Sequence, residues 1–303
     1  MDFSVKLCGR FNDGYFTKFW NITEAALRQE KNTIAHITGE VHFISLFMRK
    51  KNVLLTIHDC RFMQRKKGLE KKLMGWLYLK GPVKKSAHVT TVSEATKKEV
   101  INYTGCAAEK ITVIPVNVNP VFKPAPKAFN KNCPVILQVG AAENKNLSRL
   151  IEAIKNIPCR LVIIGEPKKA ELEKLKSFNI DFSLKHDLST EELYQEYIKC
   201  DIVSFVSTFE GFGMPIAEAN CVERAVITSN ISSMPEVAGN AACLVNPYDV
   251  EDIKKGFLKI INDDAYRERL IANGRENRKR FDGKAIADVY YELYKKLALT
   301  INR

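Results

Sequence analysis

Two glutamates, Glu210 and Glu218, bracket a turn and a helix start in the stretch Ser207-Thr-Phe-Glu-Gly-Phe-Gly-Met-Pro-Ile-Ala-Glu-Ala219. Gly211 and Gly213 let the backbone turn tightly, and Pro215 suits the first position of a helix, where its missing N–H costs nothing. The amides of Gly211, Phe212, Gly213 and Met214 then stand at the positive end of that helix, a ready place for an anion such as a diphosphate. A carboxylate repels phosphate but accepts hydrogen bonds from sugar hydroxyls well. One glutamate on each side of phosphate-binding amides therefore reads as a clamp for a nucleotide sugar, one for the ribose and one for the sugar being transferred. The alternative is that Glu218 only complements the helix dipole and Glu210 is a solvated loop charge.

Such a clamp must be delivered by strands. Asp201-Ile-Val-Ser-Phe-Val-Ser207 is a short apolar run rich in β-branched residues, long enough for a buried strand and too short for a helix. Pro134-Val-Ile-Leu-Gln-Val-Gly140 and Arg160-Leu-Val-Ile-Ile-Gly165 are two more strands running into glycine turns, and Ala225-Val-Ile-Thr228 is another strand. A helix is expected from Asn144 to Ala153, and one behind His186 with Thr190 as its cap.

Upstream, Asn52-Val-Leu-Leu-Thr-Ile-His-Asp59 is an apolar strand ending in polar residues, where open α/β sheets place ligands. Strands are also expected over 3–8, 32–38, 87–93 and 111–116, a helix over 15–29, and a helix over 94–103 capped by Ser93. Leu69, Leu73, Trp76 and Leu77 recur at helical spacing among lysines; such a stripe is expected to pack on its own sheet, with a basic membrane-surface helix as the alternative. Residues 117–132 have linker composition. Ile286, Val289, Tyr290, Leu293 and Leu297 form a last helical stripe.

Glu210-x7-Glu218 within Phe-Glu-Gly-Phe-Gly-Met-Pro-Ile-Ala-Glu-Ala, followed by Ser229-Asn230 and Met234-Pro-Glu-Val-Ala-Gly239, resembles the retaining glycosyltransferases of family 4. The resemblance runs from about residue 53 to the C-terminus. It implies an α/β protein of the GT-B fold, two Rossmann-like domains facing across a cleft, and here a short N-terminal domain. The expected division is an acceptor-side domain over 1–125, a nucleotide-sugar-binding domain over 126–283, and a last helix over 284–303 packing back on the first.

By the same resemblance Gly140 and Lys145 meet the donor diphosphate, Glu218 the ribose, Glu210 the transferred sugar, and His58 the sugar from the cleft side. A point charge against phosphate is the physical need that Lys145 serves. The chain departs from the family where many members carry an arginine after the glycine; Ala141 stands there, in a shorter loop. No Asp-x-Asp pair occurs, so neither a cofactor nor a metal is expected. The implied activity is transfer from a UDP- or GDP-linked sugar to a glycan or lipid-linked acceptor. A GT-B epimerase or phosphorylase, and a non-catalytic sugar-nucleotide-binding or partner protein, are the alternatives.

The whole chain bounds these readings. Its 303 residues, 46% hydrophobic, suffice for two cores. Eight scattered cysteines without a C-x-x-C pair fit a reduced cytoplasm rather than a disulfide or zinc framework. No apolar run is long enough to span a bilayer, and the opening residues lack the layout of a signal peptide. The net charge of +12 is concentrated: from Arg49 to Lys85 twelve basic residues stand against Asp59 and Glu70. That segment would attract phosphate-rich partners, an anionic membrane surface among them. No nucleic-acid module accompanies it, and no G-x-G-x-x-G follows a strand, which disfavours a dehydrogenase.

Overall fold

The computed structural model describes residues 4–6 and 14–301; of the strand expected over 3–8, residues 3, 7 and 8 lie outside the described residues and 4–6 form no strand. The chain divides into two units, Met1–Ile114 with Ala287–Arg303, and Pro115–Ile286.

The first unit is built on a parallel sheet of β1 (Ala35–Ile37), β2 (Val53–Ile57), β3 (His88–Thr91) and β4 (Ile111–Val113), in that spatial order. The register pairs Ala35 with Val53, Leu54 with His88 and Val89 with Ile111. All five residues of β2 are buried, which is why its sequence is continuously apolar rather than alternating. The strand expected over 32–38 shrinks to three residues. The helix Tyr15–Arg28 forms as expected, and Glu94–Thr104 is capped by Ser93, whose hydroxyl accepts from the Thr96 amide.

The basic helix departs from expectation. It runs as Gly68–Gly75, a π turn Trp76–Lys80, and Gly81–Lys85. Leu69, Leu73 and Trp76 point outward, 84%, 60% and 54% exposed, while Leu79 and Val83 fill the core. Two glycines explain the choice of face. A Cβ on Gly75 would stand 2.9 Å from Met63 Cε, and one on Gly81 would stand 2.8 Å from both Leu46 Cδ2 and the Trp76 carbonyl. The glycine side is the one that approaches its neighbours closely. The π turn adds a residue to one turn and rotates only the face that follows it; Leu69, Leu73 and Trp76 come before that rotation and share the outward side. Of the four residues only Leu77 packs inward, against the Ile22, Phe43 and Leu46 cluster.

The last helix, Gly283–Ile301, contributes its residues from Ala287 onward to the first unit. Leu293, Leu297 and Ile301 are buried, whereas Val289 is half exposed. Tyr294 Oη lies 2.7 Å from His36 Nδ1, and His36 Nε2 lies 2.7 Å from Thr56 Oγ1. Thr56 in turn meets Thr90 at 2.6 Å. Burial, reinforced by the charge of His58, holds the His36 imidazole down to about 4. Its ring is thus neutral at physiological pH, one nitrogen donating and the other accepting.

In the second unit lie β5 (Val135–Val139), β6 (Arg160–Ile164), β7 (Asp181–Lys185), β8 (Ile202–Phe205), β9 (Ala225–Ser229) and β10 (Cys243–Val245). The spatial order is β10-β9-β8-β5-β6-β7, with every pairing parallel. The chain therefore builds outward from β5 to β7, returns to the other side of β5, and builds outward again to β10. The β5/β8 boundary is the switch point of the sheet, and loops leaving its two strands diverge to leave a crevice. Helices cover both faces, with Leu150, Ile151, Ile154, Phe257 and Ile260 in the core.

Two local expectations are corrected here. Asn146 adopts φ +59°, which breaks the helix expected from Asn144 into a 3-10 turn Glu143–Lys145 and a helix Leu147–Ile154. The helix Thr190–Lys199 is capped by Ser189, not Thr190. The Ser189 hydroxyl accepts from the Glu192 amide while the Glu192 carboxylate accepts from the Ser189 amide.

Candidate active site

The loops after β5 and β8 face each other across the switch point. The Thr208 amide donates to the Asn144 carbonyl at 2.8 Å, and Asn144 Nδ2 donates to the Phe209 carbonyl and to Glu210 Oε1, each at 3.0 Å. Asn144 is buried. It is thus a rigid tie between the loops.

Lys145 is placed by its whole length. Gly140 has φ +91°, a conformation that L side chains rarely adopt. A Cβ there would fall 3.0 to 3.3 Å from Cε, Cγ and Cδ of Lys145. The lysine stem therefore lies directly on the Gly140 backbone. Its ammonium sits 4.5 Å from the centre of the Phe205 ring and donates to Glu210 Oε1 at 2.8 Å. Both side chains of this ion pair are about one-fifth exposed, Lys145 21% and Glu210 16%. Ser232, at φ +59°, donates to the Glu210 carbonyl at 2.6 Å. Ser233 Oγ lies 2.6 Å from the Phe212 carbonyl.

Gly213, at φ +122°, precedes the helix Met214–Val222 and places Pro215 as its second residue. A Cβ on Gly213 would press on Ile216 and on the same Phe205 ring that underlies Lys145. The Ile216 amide is taken by the Gly213 carbonyl at 3.0 Å. The amides of Phe212, Gly213 and Met214 donate to no other group among the described residues.

Glu218 lies one turn into this helix and is 9% exposed. Burial pushes its carboxyl up, while a hydrogen bond from Tyr197 and the charge of Lys145 pull it back. Tyr197 Oη donates to Glu218 Oε2 at 2.6 Å. Burial, and then the adjacent Glu218 charge, hold the Tyr197 phenol well above its ordinary value, so the shared proton belongs to the tyrosine.

One edge of the second sheet thus brings together Gly140, Lys145, Glu210, the 211–214 turn and Glu218, with Phe205 in contact with both the lysine and the glycine turn. The arrangement offers a cation, a helix start and two carboxylates, which is the chemistry of holding an anion flanked by hydroxyls. His58 belongs to the first unit, at the C-terminal end of β2. It is exposed and its Nε2 donates to the Thr38 carbonyl at 2.8 Å.

Sequence reasoning missed Asn144, Phe205 and Tyr197. In the sequence Asn144 reads only as a helix start, and Phe205 only as a strand residue. Tyr197 carries no local signal at all, because its partner is 21 residues away in the chain. Among the described residues no three His, Cys, Asp or Glu side chains converge as ligands for a metal ion. Nor is any helix among them long and apolar enough to cross a membrane.

Comparison with known proteins adds the family. Residues 122–277 match the family described as Glycosyl transferases group 1, and residues 4–121 match Glycosyltransferase Family 4. The serotype-specific mannosyltransferase WbdA of Escherichia coli is 26% identical over 233 residues, 69% of this chain and 29% of that protein. The O-antigen chain mannosyltransferase RfbU of Salmonella typhimurium is 31% identical over 223 residues, 69% of this chain and 61% of its own length. The chain therefore spans less than two-thirds of either relative. Among solved structures, sucrose-phosphate synthase from Thermosynechococcus elongatus aligns over 94% of this chain and 78% of its own, with a TM-score of 0.78 at 18% identity. Anabaena HepE in complex with UDP and glucose aligns over 92% and 81%, with a TM-score of 0.78 at 15% identity. With a group 1 match over more than half of its length and two parallel-sheet units of the GT-B type, this chain belongs to the group 1, family 4 glycosyltransferases.

Proposed function

We propose that the chain transfers a sugar from a nucleotide-sugar donor to a glycan or lipid-linked acceptor, with retention of configuration and without a metal ion. The observation that carries this reading is the Lys145–Glu210 pair beside Glu218 at the switch point of the second sheet. Lys145 and the amides of Phe212, Gly213 and Met214 take the diphosphate, and Gly140 gives the lysine its room. Glu218 takes the ribose hydroxyls, Glu210 the transferred sugar, and His58 of the first unit also serves the sugar. The main catalytic work is electrostatic: a fixed cation and oriented amides stabilise charge that develops on the departing diphosphate. Retention follows from the family resemblance.

The transferred sugar is a mannosyl unit on this reading, since WbdA and RfbU are mannosyltransferases. HepE was solved with UDP, and GDP is the other candidate carrier. We place the enzyme in the cytoplasm, at an anionic membrane face reached through residues 49–85. The outward Leu69, Leu73 and Trp76 support this, since exposed apolar side chains among lysines suit a lipid surface. Failure to sediment with anionic vesicles at low salt would remove the membrane contact and leave the transfer reaction intact.

The test of function is a thermal-shift series over UDP-, GDP-, ADP- and dTDP-sugars, with wild type beside Glu218→Ala. Donor at a hundred times its dissociation constant stabilises by about 2.7 kcal/mol, a shift of several degrees. A shift with one nucleotide that the variant loses supports the clamp and names the base. Donor binding with no transfer to any acceptor supports the non-catalytic reading instead, and no shift with any donor sinks both.

A further inference from the structure

Tyr197 is entirely buried, yet it carries a hydroxyl that a phenylalanine would spare. Its ring is fixed edge-on against Phe122, with centroids 5.4 Å apart, and by its place in the helix Thr190–Lys199. Packing alone would be served by the ring. Burying a hydroxyl without a partner is unfavourable, and here the hydroxyl goes to one atom, Glu218 Oε2 at 2.6 Å. The other carboxylate oxygen, Oε1, accepts from no group among the described residues. A glutamate has three side-chain torsions, and a carboxylate held at one oxygen by a fixed phenol loses most of that freedom. The free oxygen is then aimed rather than merely available.

We infer that Tyr197 is a positioning residue, whose hydroxyl holds Glu218 with Oε1 turned to the ribose and so sets how strongly the site prefers ribonucleotides to deoxyribonucleotides. This rests on the reading that Glu218 meets the ribose. A buried carboxylate aimed at a vicinal diol rejects the analogue that lacks it, because its acceptor is then left unpaired. Two different faults follow from two different losses. Without Glu218 the preference disappears. Without the Tyr197 hydroxyl, Glu218 remains but swings, and the preference falls while the diphosphate contacts stay as they were.

The experiment measures dissociation constants by calorimetry for UDP and GDP and for their 2′-deoxy and 3′-deoxy counterparts, on wild type, Tyr197→Phe, Glu218→Gln and the double variant. Wild type is expected to prefer the ribonucleotide at least tenfold. Tyr197→Phe should lose most of that preference while binding the deoxy ligands within about twofold of wild type. In the Glu218→Gln background the same change should have no further effect. Equal weakening toward ribo and deoxy ligands would make Tyr197 a packing residue only, and an unchanged preference would remove its role altogether. If wild type and Glu218→Gln treat the two ligand classes alike, the ribose role of Glu218 falls and this inference with it. A measurement without any variant guards against misfolding. In wild type labelled at the tyrosine Cζ carbon, one signal should move with the ribonucleotide and stay with the deoxy ligand, and identical responses would overturn the inference.

Discussion

His36 offers the sharpest numerical test, because its neutral form is built into the first unit. The ring is held between Tyr294 of the last helix and Thr56 of β2. Burial, with the nearby His58 charge, lowers its folded value to about 4 from the ordinary 6.5. The unfolded chain takes up a proton that the folded chain refuses, so stability is complete well above pH 6.5, begins to fall as pH nears that value, and drains away toward pH 4. Linkage puts the loss at about 0.2 kcal/mol at pH 7, about 2 kcal/mol at pH 5, and about 3 kcal/mol at pH 4. Both tryptophans of the chain, Trp20 and Trp76, lie in the first unit, so their fluorescence reports its urea unfolding alone. A loss of about 2 kcal/mol moves the urea midpoint by roughly 1 M. Burial also lowers His42 and His88, which drives wild type in the same direction. The deciding quantity is therefore the difference between wild type and His36→Gln. The variant should lose about 2 kcal/mol less between pH 7 and pH 5, and equal losses in the two proteins would refute the argument.

The other predictions concern the second unit and the reaction. Lys145→Met should weaken nucleoside-diphosphate binding by about 10- to 100-fold, the worth of one charge-assisted hydrogen bond of about 1.5–3 kcal/mol; calorimetry giving an unchanged constant would take the lysine out of the donor site. Gly140→Ala should lower thermal stability by about 1–3 kcal/mol through backbone strain at φ +91° and weaken the donor too, as the new methyl displaces the lysine stem; a melt and a titration both matching wild type would contradict the contact. Transfer assayed after exhaustive treatment with EDTA should proceed within about twofold of the untreated rate, and an activity abolished by the chelator and restored by a divalent ion would reverse the metal-independent reading.

Much of the fold was legible because parallel strands buried on both faces leave long apolar runs. Residues 53–57, 135–139, 160–164 and 202–205 all read as strands and all are strands. The Ser93 cap was equally plain, since capping is a local contract between a hydroxyl and an amide three residues on. What failed were properties fixed at a distance or by a single torsion. The left-handed Asn146 cannot be told from a helical asparagine by composition, and it moves the helix start by three residues. The stripe through Leu69, Leu73 and Trp76 keeps one face, but that face is turned to solvent because Gly75 and Gly81 take the close contacts with Met63 and Leu46, neighbours the local spacing does not show. In the site, the glycines and the two glutamates announced themselves by local spacing. Tyr197 and Phe205 did not, because each earns its place by contact with a residue from another element.

The Lys145 ammonium already has a partner from its own chain, the Glu210 carboxylate. An anion that arrives at Lys145 must displace a carboxylate already seated at 2.8 Å, and a competitor attached to the same chain never diffuses away, its effective concentration standing at millimolar or above. A lone phosphate replaces one partner of the pair and strands the other. A ligand with an anion at one end and sugar hydroxyls at the other supplies both the lysine and the glutamate with new partners at once. If Lys145 and Glu210 take the roles proposed above, the same tether favours an intact nucleotide sugar over its nucleoside diphosphate. On the proposed roles, loss of the sugar takes away the only new partner of Glu210, and the carboxylate 2.8 Å from Lys145 is then a standing competitor for the diphosphate that remains.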